Sequence, residues 1–76
     1  MYAYIKGLVV EIESSYIVID NNNIGYIIYV PNPYSYKLNN EYKVYTYTQI
    51  KEDEHSLYGF KEKEELKLFL KLISVK

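Results

Sequence analysis

The sequence predicts a mainly β fold, five short strands closed into a barrel and followed by one helix. Three observations predict it. Runs of β-branched and aromatic residues alternate with a period of two and are separated by Ser, Asn and Pro turn signals. The period changes only after Phe60, where Leu66, Phe69, Leu70 and Ile73 fall at helical spacing. A chain of 76 residues makes one domain at most, with a thin core and modest stability.

Tyr2 to Ile12 reads as the first strand. Gly7 inside it marks a bulge or sharp bend, which a small barrel needs in order to close. Glu13-Ser14-Ser15 is a turn. Tyr16 to Asp20 is the second strand, with Ile17 and Ile19 on one face and Tyr16 and Val18 on the other. Asn21-Asn22-Asn23 gives a tight connection, because asparagine tolerates positive φ. Ile24 to Val30 is the third strand. Ile24, Tyr26, Ile28 and Val30 share one face and Gly25, Ile27 and Tyr29 the other. Both faces are apolar enough to predict a central strand.

Pro31-Asn32-Pro33 ends that strand, since proline cannot donate to a ladder. Tyr34 to Glu41 is irregular or one helical turn at most, and Asn39-Asn40 turns into the fourth strand. From Tyr42 to Ile50, Tyr42, Val44, Thr46, Thr48 and Ile50 alternate with Lys43, Tyr45, Tyr47 and Gln49. Three carboxylates, Glu52-Asp53-Glu54, then form a hairpin tip, and His55 to Phe60 returns as the fifth strand.

The helix has Glu62, Glu64 and Glu65 early and Lys71 and Lys76 late, an order that suits the macrodipole. Leu66, Phe69, Leu70 and Ile73 form its buried face. Leu68, Leu72 and Val75 form a second apolar edge, which implies a covering surface beyond the barrel. Five strands followed by a helix fit an OB-fold, a Greek-key barrel. Residues 1–61 make the barrel and 62–76 the helix packing on it. The segment between strands three and four is too short and proline-broken for the usual helix there, so the terminal helix is expected to plug the barrel instead.

Composition narrows the function. The chain has eleven tyrosines, nine lysines, no arginine and ten acids, for a net charge of −1. A domain gripping nucleic acid by itself should be basic, because phosphate neutralisation supplies most of the affinity. Either this domain does not bind nucleic acid or another part of a larger molecule holds it. Without cysteine there is no disulfide, thiolate metal site or thiol nucleophile. The start lacks the apolar core of a signal peptide, and no run approaches a membrane span. The expectation is a soluble cytoplasmic domain.

No catalytic constellation emerges. One histidine offers no nucleophile–base–acid set, adjacent acids do not flank a cleft, and Gly7, Gly25 and Gly59 are too isolated to cradle a phosphate. Glu52, Asp53, Glu54 and His55 could suggest a metal, but consecutive hairpin residues diverge and no second cluster completes the ligands. No metal or cofactor is expected. Tyr45 and Tyr47, beside Lys43, are the residues best placed to stack unpaired bases in the manner of OB-folds. The favoured role for these tyrosines is the plainer one of covering a small core or a subunit interface. The loop between strands four and five normally helps such folds grip an oligonucleotide. Here it carries one lysine and three acids, and would repel a phosphate chain.

Lys51-Glu52-Asp53, a short spacer and Leu57-Tyr58-Gly59-Phe60 resemble the acid-tipped hairpin and following strand of the RuvA family of bacterial Holliday-junction branch-migration proteins. The start Met1-Tyr2-Ala3-Tyr4-Ile5-Lys6-Gly7 is similar to that family's N-terminus. So are Ile24-Gly25-Tyr26 with Pro31, and Glu64-Glu65, Leu68-Phe69 and Leu72-Ile73 in the helix. The resemblance spans the whole chain in order. It implies a non-catalytic DNA-binding subunit acting in recombination and DNA repair, including the SOS response. It further implies a homotetramer that holds a four-way junction, with the RuvB ATPase and the RuvC resolvase as partners in a cytoplasmic, nucleoid-associated complex. A helix-hairpin-helix domain would follow the terminal helix. On this likeness Glu52 and Asp53 are acidic pin residues at the crossover. Lys51 and Glu54 are neighbouring DNA contacts. Lys51 stands where the family usually has arginine, keeping the charge but losing the planar fork. Glu54 stands where the family often has alanine and makes the pin more acidic.

Overall fold

The computed structural model describes residues 2–74. Val75 and Lys76, both assigned to the helix above, lie outside the described residues. The elements are β1 (Tyr4–Ile12), β2 (Tyr16–Asn21), β3 (Ile24–Tyr29), a 3-10 turn (Pro33–Ser35), β4 (Glu41–Lys51), β5 (Glu54–Phe60) and α1 (Lys63–Ser74). The strands close into a barrel in the order β1-β2-β3-β5-β4. All neighbours are antiparallel except β3 and β5, which run parallel at Ile28↔Leu57 and Tyr29↔Tyr58. This is a mainly β, five-stranded mixed barrel with one C-terminal helix, consistent with an OB-fold.

Alternation builds the interior. Val9, Ile17, Ile19, Ile28 and Val44 are fully buried, and Ile5, Val30 and Tyr36 nearly so; Phe60 is buried on the outer face instead, beneath the helix. Thr46 is the buried polar residue of the fourth strand, and its hydroxyl donates to the carbonyl of Tyr2 at 2.7 Å. The β2–β3 hairpin turns on Asn22 and Asn23, at φ 52° and 66°. Two successive positive φ values match the right-handed twist of the flanking strands. Asp20 Oδ1 accepts from the Asn23 amide at 3.0 Å and steadies that turn.

Three expectations are corrected. The register shift in β1 lies between Val9 and Glu11 rather than at Gly7. Gly7 serves a close approach instead, because a Cβ there would stand 2.3 Å from the carbonyl oxygen of Asp20. β3 is central as expected, paired with β2 and β5, although its outer face is not covered, since Ile27 and Tyr29 are exposed. A closed barrel pairs every strand on both edges, so apolar faces here do not imply burial on both sides.

The plug is also different. Tyr36, just after the 3-10 turn, is buried in the core and packs edge-on against Tyr42 at 4.9 Å. The segment carrying it is tied to β1, with the Asn39 amide donating to the Val9 carbonyl at 2.7 Å. The helix lies on the outer face of β4 and β5, where Phe69 meets Tyr47, Tyr58 and Phe60 at ring distances of 5.7, 6.0 and 5.2 Å. Only half of the predicted buried stripe is covered. Leu66 and Phe69 are partly buried, whereas Leu70 is 36% and Ile73 47% exposed. Leu68 and Leu72, at 63% and 75%, are open as expected of the second edge.

Burial, then the charge of Glu65 and the neighbouring Tyr42, push the Tyr36 hydroxyl up from 10.0 to about 12. The neutral phenol is therefore favoured in the folded chain. Its contribution is complete below pH 10.0 and is lost as pH rises towards about 12. Denaturant titrations should show the wild type losing about 2 kcal/mol more than Tyr36→Phe across that window. Parallel pH profiles for the two proteins would contradict this role.

Candidate nucleic-acid interface

The hairpin formed by the ends of β4 and β5 projects from the barrel. β1 pairs with β4 only as far as Tyr4↔Tyr45, followed by the Thr46 amide donating to the Ala3 carbonyl at 3.1 Å. β3 reaches β5 only at Leu57 and Tyr58. Beyond these points Gln49↔Ser56, Ile50↔His55 and Lys51↔Glu54 pair solely with one another. Three residues per strand carry the tip about 10 Å past the last shared pairing. Ile50, inward-facing by its alternation, is 64% exposed because the barrel has ended there.

Glu52 and Asp53 are the two turn residues, and both are exposed. Glu54 is not part of the tip. It opens β5 opposite Lys51, and its carboxylate accepts from the Ser56 hydroxyl at 3.3 Å. The three-carboxylate tip expected from the sequence is thus a pair, with the third acid one step down the ribbon. Among the described residues, no hydrogen bond or ion pair engages the Glu52 or Asp53 side chains. Neither residue has positive φ, so this turn differs from the Asn22-Asn23 turn. His55 lies in the strand opposite Ile50. The described residues contain no cluster of three His, Cys, Asp or Glu able to hold a metal.

The other predicted residues lie further down the same strand. Lys43, Tyr45, Tyr47, Gln49 and Lys51 follow at alternate positions of β4, opposite the inward Val44 and Thr46. Tyr45 stands edge-on to Tyr4 at 6.4 Å, and the Lys43 ammonium lies over both rings, 4.3 Å from Tyr4 and 5.4 Å from Tyr45. Tyr47 is shared with the helix through Phe69. Tyr45 and Tyr47 are therefore brought to one outer surface, but Tyr47 has one side occupied. Sequence reasoning missed the residues opposite them, Lys63, Leu66 and Lys67 of α1, which line the same seam. Their signal was available in the four-residue spacing of Lys63, Lys67 and Lys71.

Fold and site together define a small OB-like barrel that presents an unpaired acidic turn on a projecting ribbon. The chain belongs to the RuvA N terminal domain family, whose profile matches residues 1–59. It is 53% identical over 75 residues to the Holliday junction branch migration complex subunit RuvA of Acholeplasma laidlawii, covering 99% of this chain and 40% of that protein. The identically named protein of Streptococcus pneumoniae is 51% identical over 77 residues, covering 99% of this chain and 39% of the relative. The chain thus spans about two fifths of the length of the curated relatives it matches. Among the described residues, no helix is long and apolar enough to cross a membrane.

Proposed function

We propose that this chain acts as the acid-pin domain of a non-catalytic Holliday-junction DNA-binding subunit in a RuvAB-type branch-migration complex. The observation that carries the reading is the Glu52-Asp53 turn, exposed, unpaired and held away from the barrel on a ribbon bonded only to itself. Family membership supports it. Charge placed there contributes little to folding and is well presented to a ligand.

A carboxylate about 4 Å from a phosphate is repelled by roughly 1 kcal/mol in water and several-fold more where solvent is excluded. Such a tip does not hold DNA. It disfavours re-pairing of bases across a crossover and guides separated strands apart. Four copies around a junction would multiply the effect. Lys51 and Glu54, opposite each other just below the turn, are the neighbouring contacts. Attraction comes from a helix-hairpin-helix domain that α1 leads into, and motion from the RuvB ATPase, with RuvC resolving the product. The open Leu68 and Leu72 edge suits a covering surface in such an assembly.

Band shifts at several salt concentrations test this. The chain alone should form no stable complex with four-way or linear DNA. Joined to the portion of the Acholeplasma laidlawii relative outside the matched segment, it should prefer the four-way junction. Tight single-strand binding by the chain alone, or no junction preference in the fusion, would refute the reading.

A further inference from the structure

A second surface carries a function that the pin does not explain. The seam between β4 and α1 is a cleft of about 630 Å³, floored by Tyr45 and Tyr47 and walled by Tyr4, Lys43, Lys63 and Leu66. It continues past Tyr47 into a second cleft lined by Lys67 and Lys71. Four of the chain's nine lysines thus line one seam, and among the described residues no carboxylate lines either cleft. Glu64 approaches Lys67 at 3.9 Å, in an exposed pair that is weakly held. In a chain of net charge −1, this is a strongly one-sided placement.

We infer that this seam is a single-stranded DNA-binding site, taking unpaired bases on Tyr45 and Tyr4 and phosphates on Lys43, Lys63 and Lys67. Aromatic rings interleaved with cations are what a sequence-tolerant single-strand site requires, because every base has a π-face and every nucleotide a phosphate. The Lys43 ammonium now covers the two rings. That cation–π contact is weak at an exposed site. A phosphate draws the ammonium into an ion pair and opens the ring faces to a base.

Repulsion from the tip does not extend this far. Lys43 and Lys51 are eight residues apart on one strand, about 26 Å, well beyond the screening length of roughly 10 Å at moderate salt. The acidic loop argues against gripping DNA at the tip, not against gripping it at the seam. The site is modest, with an affinity on the order of 10⁻⁴ M, too weak to survive a gel. It stands independently of the pin reading, because either surface can fail without the other.

Titration of the ¹⁵N-labelled chain with an oligothymidylate of about eight nucleotides at low salt is the test. Shifts should centre on Lys43, Tyr45, Lys63 and Lys67. With three lysines engaged, log affinity should fall against log salt with a slope of about −2. Lys43→Gln should reduce that slope by about 0.7, and Tyr45→Leu should weaken binding about tenfold. Lys37→Ala, outside the seam, should change neither. Lys43→Gln alters only an exposed side chain, so it keeps the test valid if Tyr45→Leu destabilises the barrel. Absence of shifts at the seam overturns the site. Equal affinity for a polyglutamate of matching charge, or an unchanged affinity in Tyr45→Leu, overturns base stacking and leaves a general anion surface.

Discussion

Gly7→Ala is expected to lower the stability of this domain by about 3 kcal/mol, the upper end of what overpacking a core normally does. The reason is backbone, not conformation. Gly7 has no positive φ, but a Cβ built on it would lie 2.3 Å from the Asp20 carbonyl oxygen and 2.7 Å from Ile19 Cγ2. Ile19 is fully buried, and Asp20 belongs to a strand paired on both sides. Neither can withdraw without opening the β1–β2 ladder. A chain of this size has roughly 4–11 kcal/mol in total, so the change leaves a barrel close to unfolding. Gly25 provides the comparison. A Cβ there meets only Val18 Cγ1 at 3.3 Å, at an exposed position. Urea denaturation should place Gly25→Ala within about 1 kcal/mol of the wild type. Gly7→Ala should shift the midpoint far down with an unchanged slope. Similar midpoints for the two would contradict the close approach.

The second large effect is on DNA. In the fusion described above, Glu52→Gln with Asp53→Asn should tighten four-way-junction binding about thirtyfold, because each carboxylate near a phosphate is worth roughly 1 kcal/mol of repulsion. The fold should be unaffected, since both side chains are exposed and unpaired among the described residues. Branch migration should change in the opposite sense to affinity. A tip that no longer repels lets strands re-pair across the crossover and slows their separation. The informative result is the combination of binding that is equal or tighter with impaired migration. Loss of both would indicate that the acids make contacts rather than prevent them.

Much of this was legible from residue types alone, for identifiable reasons. Alternation put Ile17 and Ile19 on one face, and that face is the fully buried one. Asn22 and Asn23 were legible because few other residues adopt positive φ cheaply. The tip was read one residue too long. Glu52, Asp53 and Glu54 are chemically alike, so nothing in the string separates turn from strand; only the Lys51↔Glu54 pairing does. Tyr36 was missed as the plug because it sits in a segment without periodicity, where burial depends on a tertiary tie to β1. The helix stripe was overread for the opposite reason. Periodicity at Leu70 and Ile73 reports which residues are apolar, not which are covered. The lysine seam could not be assembled from sequence, since Lys43 and Lys63 lie on elements whose contact is tertiary.

Repulsion at the tip is the central claim, and a charge ladder tests it most directly. Junction affinity would be measured at one fixed salt concentration for the fusion with the native Glu52-Asp53 turn, with Glu52→Gln and Asp53→Asn together, and with Glu52→Lys and Asp53→Lys together. Repulsion predicts affinity that rises at each step as negative charge is removed and then reversed. A fall in affinity at the neutral step would contradict it, and would make the acids ligands of the DNA or of its bound cations.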